Sequence, residues 1–268
     1  MLAFLPLLAL GVLQGFTEFF PVSSSGHVAT LALFMPVKNM SLALVIALHI
    51  GTLSATLVVF RKDITSIFTK ISELLRGKPK APDELISLEL LIAITLASLA
   101  TALVGMMLKS HVEQWMHEPQ TLGLCFCLTA TTLFALRAKK KGTRKLSWQY
   151  ALWIGIAQGL AVTPGISRSG STIACAMFLG VPAVEAFRFS FLISIPAILG
   201  ATLLEGLGAS PERLFSHDAL IGALIAFISG YIALLLLRRI LIQGHFWGFS
   251  LYLFPLGVFL IWWGSNLS

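Results

Sequence analysis

An all-α polytopic membrane protein is the fold class this sequence predicts, and three observations predict it. Of its 268 residues, 57% are hydrophobic and only 12% charged, whereas a soluble domain carries about a quarter charged residues. Runs such as LALVIALHIGTLSATLVVF and LISLELLIAITLASLATALVGMML approach the roughly 20 apolar residues needed to cross a bilayer. The remaining charges gather in short clusters between such runs.

Six segments read as full spans, at about 42–60, 87–108, 120–137, 183–205, 219–237 and 248–265. Basic clusters lie from Arg61 to Lys80, from Arg137 to Lys145, and at Arg238 and Arg239. Clusters beside spans are the positive-inside signal and suit anionic lipid headgroups. The net charge of +7 therefore points to a membrane surface and not to nucleic acid. With the clusters in the cytoplasm, 109–119 and 206–218 fall outside, and the spans alternate in direction accordingly.

Segment 148–180 must then begin and end in the cytoplasm. It carries two apolar pieces around TPGISRSGS, which predicts a re-entrant helical hairpin with its tip inside the membrane. By the same logic 1–36 is a hairpin entering from outside, with its tip at PVSSSG. Its first apolar stretch lacks the basic flank of a signal peptide, so it is expected to belong to the fold. Each half holds one hairpin and three spans, and an odd number of spans sets the two halves in opposite orientation.

An internal repeat supports this independently. Shifted by 144 positions, GVLQGFTEFFPVSSSG (Gly11 to Gly26) lies over GIAQGLAVTPGISRSG (Gly155 to Gly170). Gly11/Gly155, Gln14/Gln158, Gly15/Gly159, Ser23/Ser167, Ser25/Ser169 and Gly26/Gly170 coincide without a gap. The chain thus reads as one membrane domain, 1–268, of pseudo-repeats 1–145 and 146–268 with inverted topology. Such repeats with broken helices place their functional site at the repeat interface near mid-membrane, so both tips should converge on one site.

The tips carry the chemistry. Gln14 and Glu18 are four apart and share a helix face, and Pro21 ends that helix. Ser23, Ser24 and Ser25 are N-cap candidates for the next one, and a helix start attracts anions, phosphate especially. His27 then falls about one turn along, within reach of Ser24. The second tip supplies Ser167, Arg168, Ser169, Ser171 and Thr172 around two glycines, and an arginine fork matches phosphate oxygens. A hydroxyl, an acid/base histidine, a carboxylate and an anion-binding arginine fit phosphoryl transfer, which rests mainly on positioning and charge stabilisation. The carboxylate could also hold a divalent ion, since Mg²⁺ takes one or two carboxylates plus substrate phosphates.

Alternatives stand beside these assignments. Serines in membrane helices also hydrogen-bond the backbone or permit close packing, and that role competes for Ser23, Ser25, Ser169 and Ser171. Intramembrane Glu18 and Arg168 point to function, or else to a structural ion pair with each other. His49, mid-span, either lines the cavity or bonds a carbonyl. Glu185 and Arg188 read as a local pair three residues apart, and Glu73, Asp83 and Glu84 as solvated loop charges. Trp148, Tyr150, Trp262 and Trp263 suit an interfacial belt. Cys125, Cys127 and Cys175 lie in apolar runs and suggest neither disulfide nor zinc.

At these tips the sequence resembles the bacterial undecaprenyl-diphosphate phosphatases of the bacitracin-resistance type. One motif is Glu or Gln, then Glu four residues on, then Pro-Val-Ser-Ser-x-Gly-His, here Gln14 through His27. The other is Pro-Gly-x-Ser-Arg-Ser-Gly-x-Thr, here Pro164 through Thr172. The resemblance implies hydrolysis of undecaprenyl diphosphate to undecaprenyl phosphate and inorganic phosphate, recycling the lipid carrier for cell-wall synthesis. It implies dependence on a divalent cation, with Mg²⁺ the expected ion and Glu18 its carboxylate. It further implies a site open to the periplasmic or outer face of the cytoplasmic membrane, and it leaves room for a homodimer. By position, Glu18, Ser24, His27 and Arg168 match the catalytic residues, while Ser23 and Ser167 match supporting ones. Gln14, Ser23, Ser25, Ser167, Ser169 and Thr172 are the expected substrate-binding set. Many members have Glu where this chain has Gln14, which can be neither a base nor an anionic metal ligand, so the burden shifts to Glu18. Position 49, often Gln in the family, is His here.

The inverted repeat alone also suits a transporter or lipid flippase. The hydroxyl–histidine pair favours the enzyme, and a structural scaffold leaves Arg168 and Glu18 within hydrocarbon unexplained.

Overall fold

The structure, a computed structural model, describes residues 4–34, 42–77, 87–206 and 216–266. Within them every regular element is a helix. The helices are α1 (Phe4–Phe19), α2 (Ser24–Phe34), α3 (Leu42–Val59), α4 (Arg61–Leu75), α5 (Leu88–Met116), α6 (Pro119–Ala135), α7 (Trp148–Leu160), α8 (Arg168–Phe178), α9 (Ala183–Gly206), α10 (His217–Ile242) and α11 (Ser250–Ser265). Short 3₁₀ turns extend α6 through Ala138 and precede α11 from Phe246.

Six of these are long and apolar enough to cross a membrane, and they are the six predicted spans. Their ends differ where composition is a poor guide. The second runs to Met116, well past 108, because Lys109, His111 and Glu113 continue the helix as polar residues beyond the apolar stretch. The basic segment after α3 is largely a helix, not a loop: α4 alternates charged and apolar residues at helical spacing, as an interfacial helix does. Its Glu73 pairs with Lys70, while Asp83 and Glu84 lie outside the described residues.

Arg188 on α9 makes a bond beyond its own helix. It reaches Asp63 of α4, with Nη2 2.5 Å from Oδ1 and Nε donating at 2.6 Å. This two-pronged bond ties the interfacial helix to the second half of the chain, a link that the spacing of Glu185 and Arg188 did not suggest.

The two broken-helix pairs correspond closely under the repeat shift. Ser24–Phe34 moved by 144 positions becomes residues 168–178, the bounds of α8. At 11 to 16 residues, α1, α2 and α8 are short for a span, as is the 13-residue α7. Helix α1 packs along α10 as α7 packs along α5, and α6 pairs with its own counterpart α11. Small residues allow the close approaches: a side chain at Gly155 would collide with the Ala97 backbone, and one at Gly123 with Gly257. Lipid-type packing of this kind uses shape, not a hydrophobic drive between helices.

Candidate active site

The two tips meet. Ser23 accepts the N–H of Gly26 at 3.3 Å, capping α2, and Ser167 accepts that of Gly170 at 3.1 Å, capping α8. Ser23 Oγ lies 3.4 Å from Ser25 Oγ, and Ser167 Oγ lies 3.3 Å from Ser169 Oγ. Bonds then cross between tips: Gly165 N–H donates to Ser23 Oγ at 3.1 Å, and Ser169 Oγ donates to the Phe20 carbonyl at 3.2 Å. Each tip glycine faces the other tip, Gly26 against Gly165 and Gly170 against Pro21. Ser23 adopts φ +69°, a left-handed conformation that costs a non-glycine residue about 1–3 kcal/mol and that surrounding contacts must hold.

This closure brings Glu18, at the end of α1, to the start of both short helices. Its Oε2 accepts Ser24 Oγ–H at 2.9 Å and Gln14 Nε2–H at 3.1 Å. Its Oε1 accepts Arg168 Nη2 at 2.6 Å. Ser24 and Arg168, 144 positions apart, are therefore separated by one carboxylate. The arginine also lies over the ring of Phe191, 5.7 Å from its centroid. Its other terminal nitrogen, Nη1, is buried without a partner among the described residues.

Glu18 and Arg168 line a cavity of about 150 Å³ together with His49, Thr101, Gln158 and the α9 segment Ala197–Thr202. A larger cavity of about 380 Å³, bordered by Glu89, Lys145, Glu185 and Arg188, contains none of the signature residues. The smaller one is the candidate site, because the buried ionisable pair lines it and Arg168 keeps a buried donor without a partner among the described residues.

Residues 7–259 match the protein family described as bacitracin resistance protein BacA. The chain belongs to this family. It is 41% identical to an undecaprenyl-diphosphatase of Desulfosudis oleivorans over 96% of this chain and 97% of that one. It is 35% identical to one of Korarchaeum cryptofilum over 95% and 97%, and 36% identical to one of Treponema denticola over 95% and 96%.

In this BacA-family chain the predicted site residues fall into two groups. Glu18 and Arg168 line the cavity, and Ser24 and Gln14 bond to Glu18. Ser23, Ser25, Ser167 and Ser169 instead hold the tips in register. Thr172 is fully buried, its hydroxyl shared with the Arg168 carbonyl and Ser190, so it braces α8 against α9. His27 differs from the expected Ser24 contact. Its Nδ1 donates to the Ser23 carbonyl at 2.8 Å and its Nε2 lies 2.8 Å from Tyr252 Oη. A carbonyl only accepts, so the proton is on Nδ1 and the tyrosine donates to Nε2. The one-turn spacing was right for the main chain, but the ring swings toward α11 and stabilises the strained Ser23.

Four contributors had weaker sequence signals. Gln158, the repeat partner of Gln14, donates to Thr101 Oγ1 at 3.1 Å and to the Ile193 carbonyl at 3.2 Å. Thr129 of α6 donates to Gly165 O at 3.0 Å and accepts Ser167 N–H at 3.3 Å, bracing the second tip. Thr101 and Thr129 look like ordinary span threonines in the sequence, whereas the Gln14/Gln158 coincidence was a usable clue. His49 does both things expected of it: Nδ1 bonds Val45 O at 3.0 Å while the residue lines the cavity.

Proposed function

We infer that the chain is a membrane phosphatase that hydrolyses undecaprenyl diphosphate to undecaprenyl phosphate and inorganic phosphate. The relatives' shared name supplies the substrate. The structural observation that carries the reading is the Glu18 carboxylate, which accepts both the Ser24 hydroxyl and the Arg168 guanidinium at the cavity wall. An inverted repeat suits a transporter equally well. A serine bonded to a buried base beside an anion-binding donor favours the enzyme.

Ser24 Oγ attacks the terminal phosphorus while its proton passes to Glu18 Oε2. The Oγ–P bond forms, and the P–O bond to undecaprenyl phosphate breaks with its electron pair leaving on that product. Arg168 Nη1, already buried and unpartnered, donates to the terminal phosphoryl oxygens, and the α2 and α8 starts add their positive ends. Water then attacks the phosphoserine. Glu18 returns its proton to Ser24 Oγ as the P–O bond to the serine breaks, and both water protons leave with inorganic phosphate. Gln14 orients Glu18, and His27 holds the Ser23 turn.

A divalent cation fits this donor set. Glu18 Oε1 accepts one donor and keeps a lone pair. Gln158 is 2% exposed, lines the same cavity, and its Oε1 has no partner among the described residues. The orientation of that amide is set by the Ile193 carbonyl, which can only accept. Glu18 and Gln158 would hold Mg²⁺ or a similar ion with the diphosphate oxygens, and its charge would offset that of the phosphates.

The basic clusters put the starts of α5 and α9 in the cytoplasm. Cavity residues 197–202 then lie in the outer half of α9, which supports a site open to the outer face of a bacterial cytoplasmic membrane and two re-entrant hairpins. Phosphate release from undecaprenyl diphosphate by purified protein, with Mg²⁺ and with chelator, tests the activity. Release that depends on Ser24 and Glu18 is expected; no release under either condition overturns the reading.

A further inference from the structure

The residues that line the cavity carry free acceptors. Gln158 Oε1 is one, and the free lone pair of Glu18 Oε1 is another. His49 adds a third. Its Nδ1 faces the Val45 carbonyl, so Nδ1 carries the proton, and in the neutral ring Nε2 carries the lone pair. Nε2 has no hydrogen-bond partner among the described residues. A histidine whose one ring nitrogen donates to a backbone carbonyl is in the arrangement that metal-ligating histidines use.

Three acceptors from α1, α3 and α7 around one cavity call for a cation or a cluster of donors. The donor already present, Arg168, is spoken for on one side by Glu18. Arg168 itself lines the cavity and its buried Nη1 has no partner among the described residues, so a second cation sits comfortably there only with an anion between, which is what a diphosphate provides. Carboxylate, amide carbonyl and imidazole make a mixed oxygen–nitrogen set, and imidazole favours first-row transition ions where all-oxygen sites suit Mg²⁺ and Ca²⁺.

We infer that His49 is a nitrogen ligand, with Glu18 and Gln158 as oxygen ligands, of the divalent cation used at this site, and that it tilts the ion preference of this chain toward transition metals. This rests on the phosphatase reading above and sharpens its choice of metal. His49→Gln is the informative variant, because it keeps a polar side chain of similar reach while replacing nitrogen with an amide oxygen.

The test uses Mn²⁺ as a spectroscopic probe of the detergent-solubilised full chain, alone and with methylenediphosphonate as a non-hydrolysable anion. Electron spin-echo modulation of the bound Mn²⁺ should show a ¹⁴N nucleus in the parent, and His49→Gln should lose it while still binding Mn²⁺. The ratio of Mg²⁺ to Co²⁺ concentrations that half-saturate phosphate release should fall by about tenfold or more in His49→Gln. No Mn²⁺ binding in either arm, bound Mn²⁺ without nitrogen modulation, or modulation that survives in His49→Gln each overturns the inference. Phosphate release by the same parent preparation keeps the two readings separate: release without a nitrogen signal sinks only the His49 ligand, whereas a nitrogen signal without release sinks the phosphatase.

Discussion

Arg168 Nη2 sits 2.6 Å from Glu18 Oε1 across 150 positions of sequence, with both side chains largely buried. This bond joins the two halves of the chain and lies at the wall of the cavity. Breaking a buried pair from one side strands a charge and costs about 3–5 kcal/mol, whereas removing both partners is often nearly neutral. Stability and catalysis should therefore separate. Glu18→Gln and Arg168→Gln should each lower the unfolding temperature in detergent, and the double variant should recover much of that loss. All three should lack turnover, because each has lost the proposed base, the anion donor or both. A double variant no more stable than either single one would mean that neither charge depends on the other for its burial.

Ser24 provides the second prediction. Its hydroxyl points at Glu18, not at His27, which is why the proposed mechanism passes its proton to Glu18. Ser24→Ala should remove turnover yet keep lipid binding, since Arg168 Nη1 and the helix starts remain. Turnover within about tenfold of the parent, a barrier change near 1.4 kcal/mol, would reject the serine nucleophile while leaving the phosphatase assignment standing. Tyr252→Phe frees only the far nitrogen of His27 and should change turnover far less than Ser24→Ala does.

Much of this was legible before the structure. Hydropathy located all six spans, and the gapless coincidence of Ser23 with Ser167 and Gly26 with Gly170 foretold two equivalent caps. That both tips, and with them Ser24 and Arg168, meet at one point followed from the repeat; the Ser24–Glu18 bond did not. What could not be read were the side-chain directions at the tips. A spacing of three residues put His27 near Ser24 along the chain, but Tyr252, 225 positions away, decides where the ring goes. Thr172 belongs to the motif, yet Ser190 takes its hydroxyl. Arg188 found its partner on α4, a helix whose charges had masked its periodicity. In each case a contact from distant sequence set a direction that local spacing could not give.

The tip glycines should differ in how much they tolerate. A Cβ at Gly26 would lie 2.7 Å from the Gly165 nitrogen and 2.7 Å from Phe126 Cζ, so the facing backbone must move. At Gly170 the nearest atoms are Ser167 Cβ at 3.1 Å and Pro21 Cβ at 3.2 Å, which a shift of a few tenths of an ångström relieves. Gly26→Ala should therefore pull Ser24 away from Arg168 and lose nearly all turnover, with Gly170→Ala keeping a measurable fraction. Equal losses in phosphate release would mean that the tip contact is softer than its geometry.

Gln14 bears on the metal directly. It donates to Glu18 Oε2 at 3.1 Å, and the family resemblance allows Glu at this position. Gln14→Glu removes that donor and sets a second negative charge against Glu18, where like charges in a buried site repel. A divalent ion relieves the repulsion and gains a second carboxylate, the arrangement Mg²⁺ commonly takes. Turnover at saturating Mg²⁺ should therefore stay near that of the parent, while dependence on the ion should steepen and chelation should lower the unfolding temperature of the variant more than that of the parent. Phosphate release titrated against free Mg²⁺, with thermal unfolding in chelator, measures both. An inactive variant at saturating Mg²⁺ would mean that the amide of Gln14 is needed to orient Glu18 for Ser24. Indifference to chelation would place the ion somewhere other than Glu18.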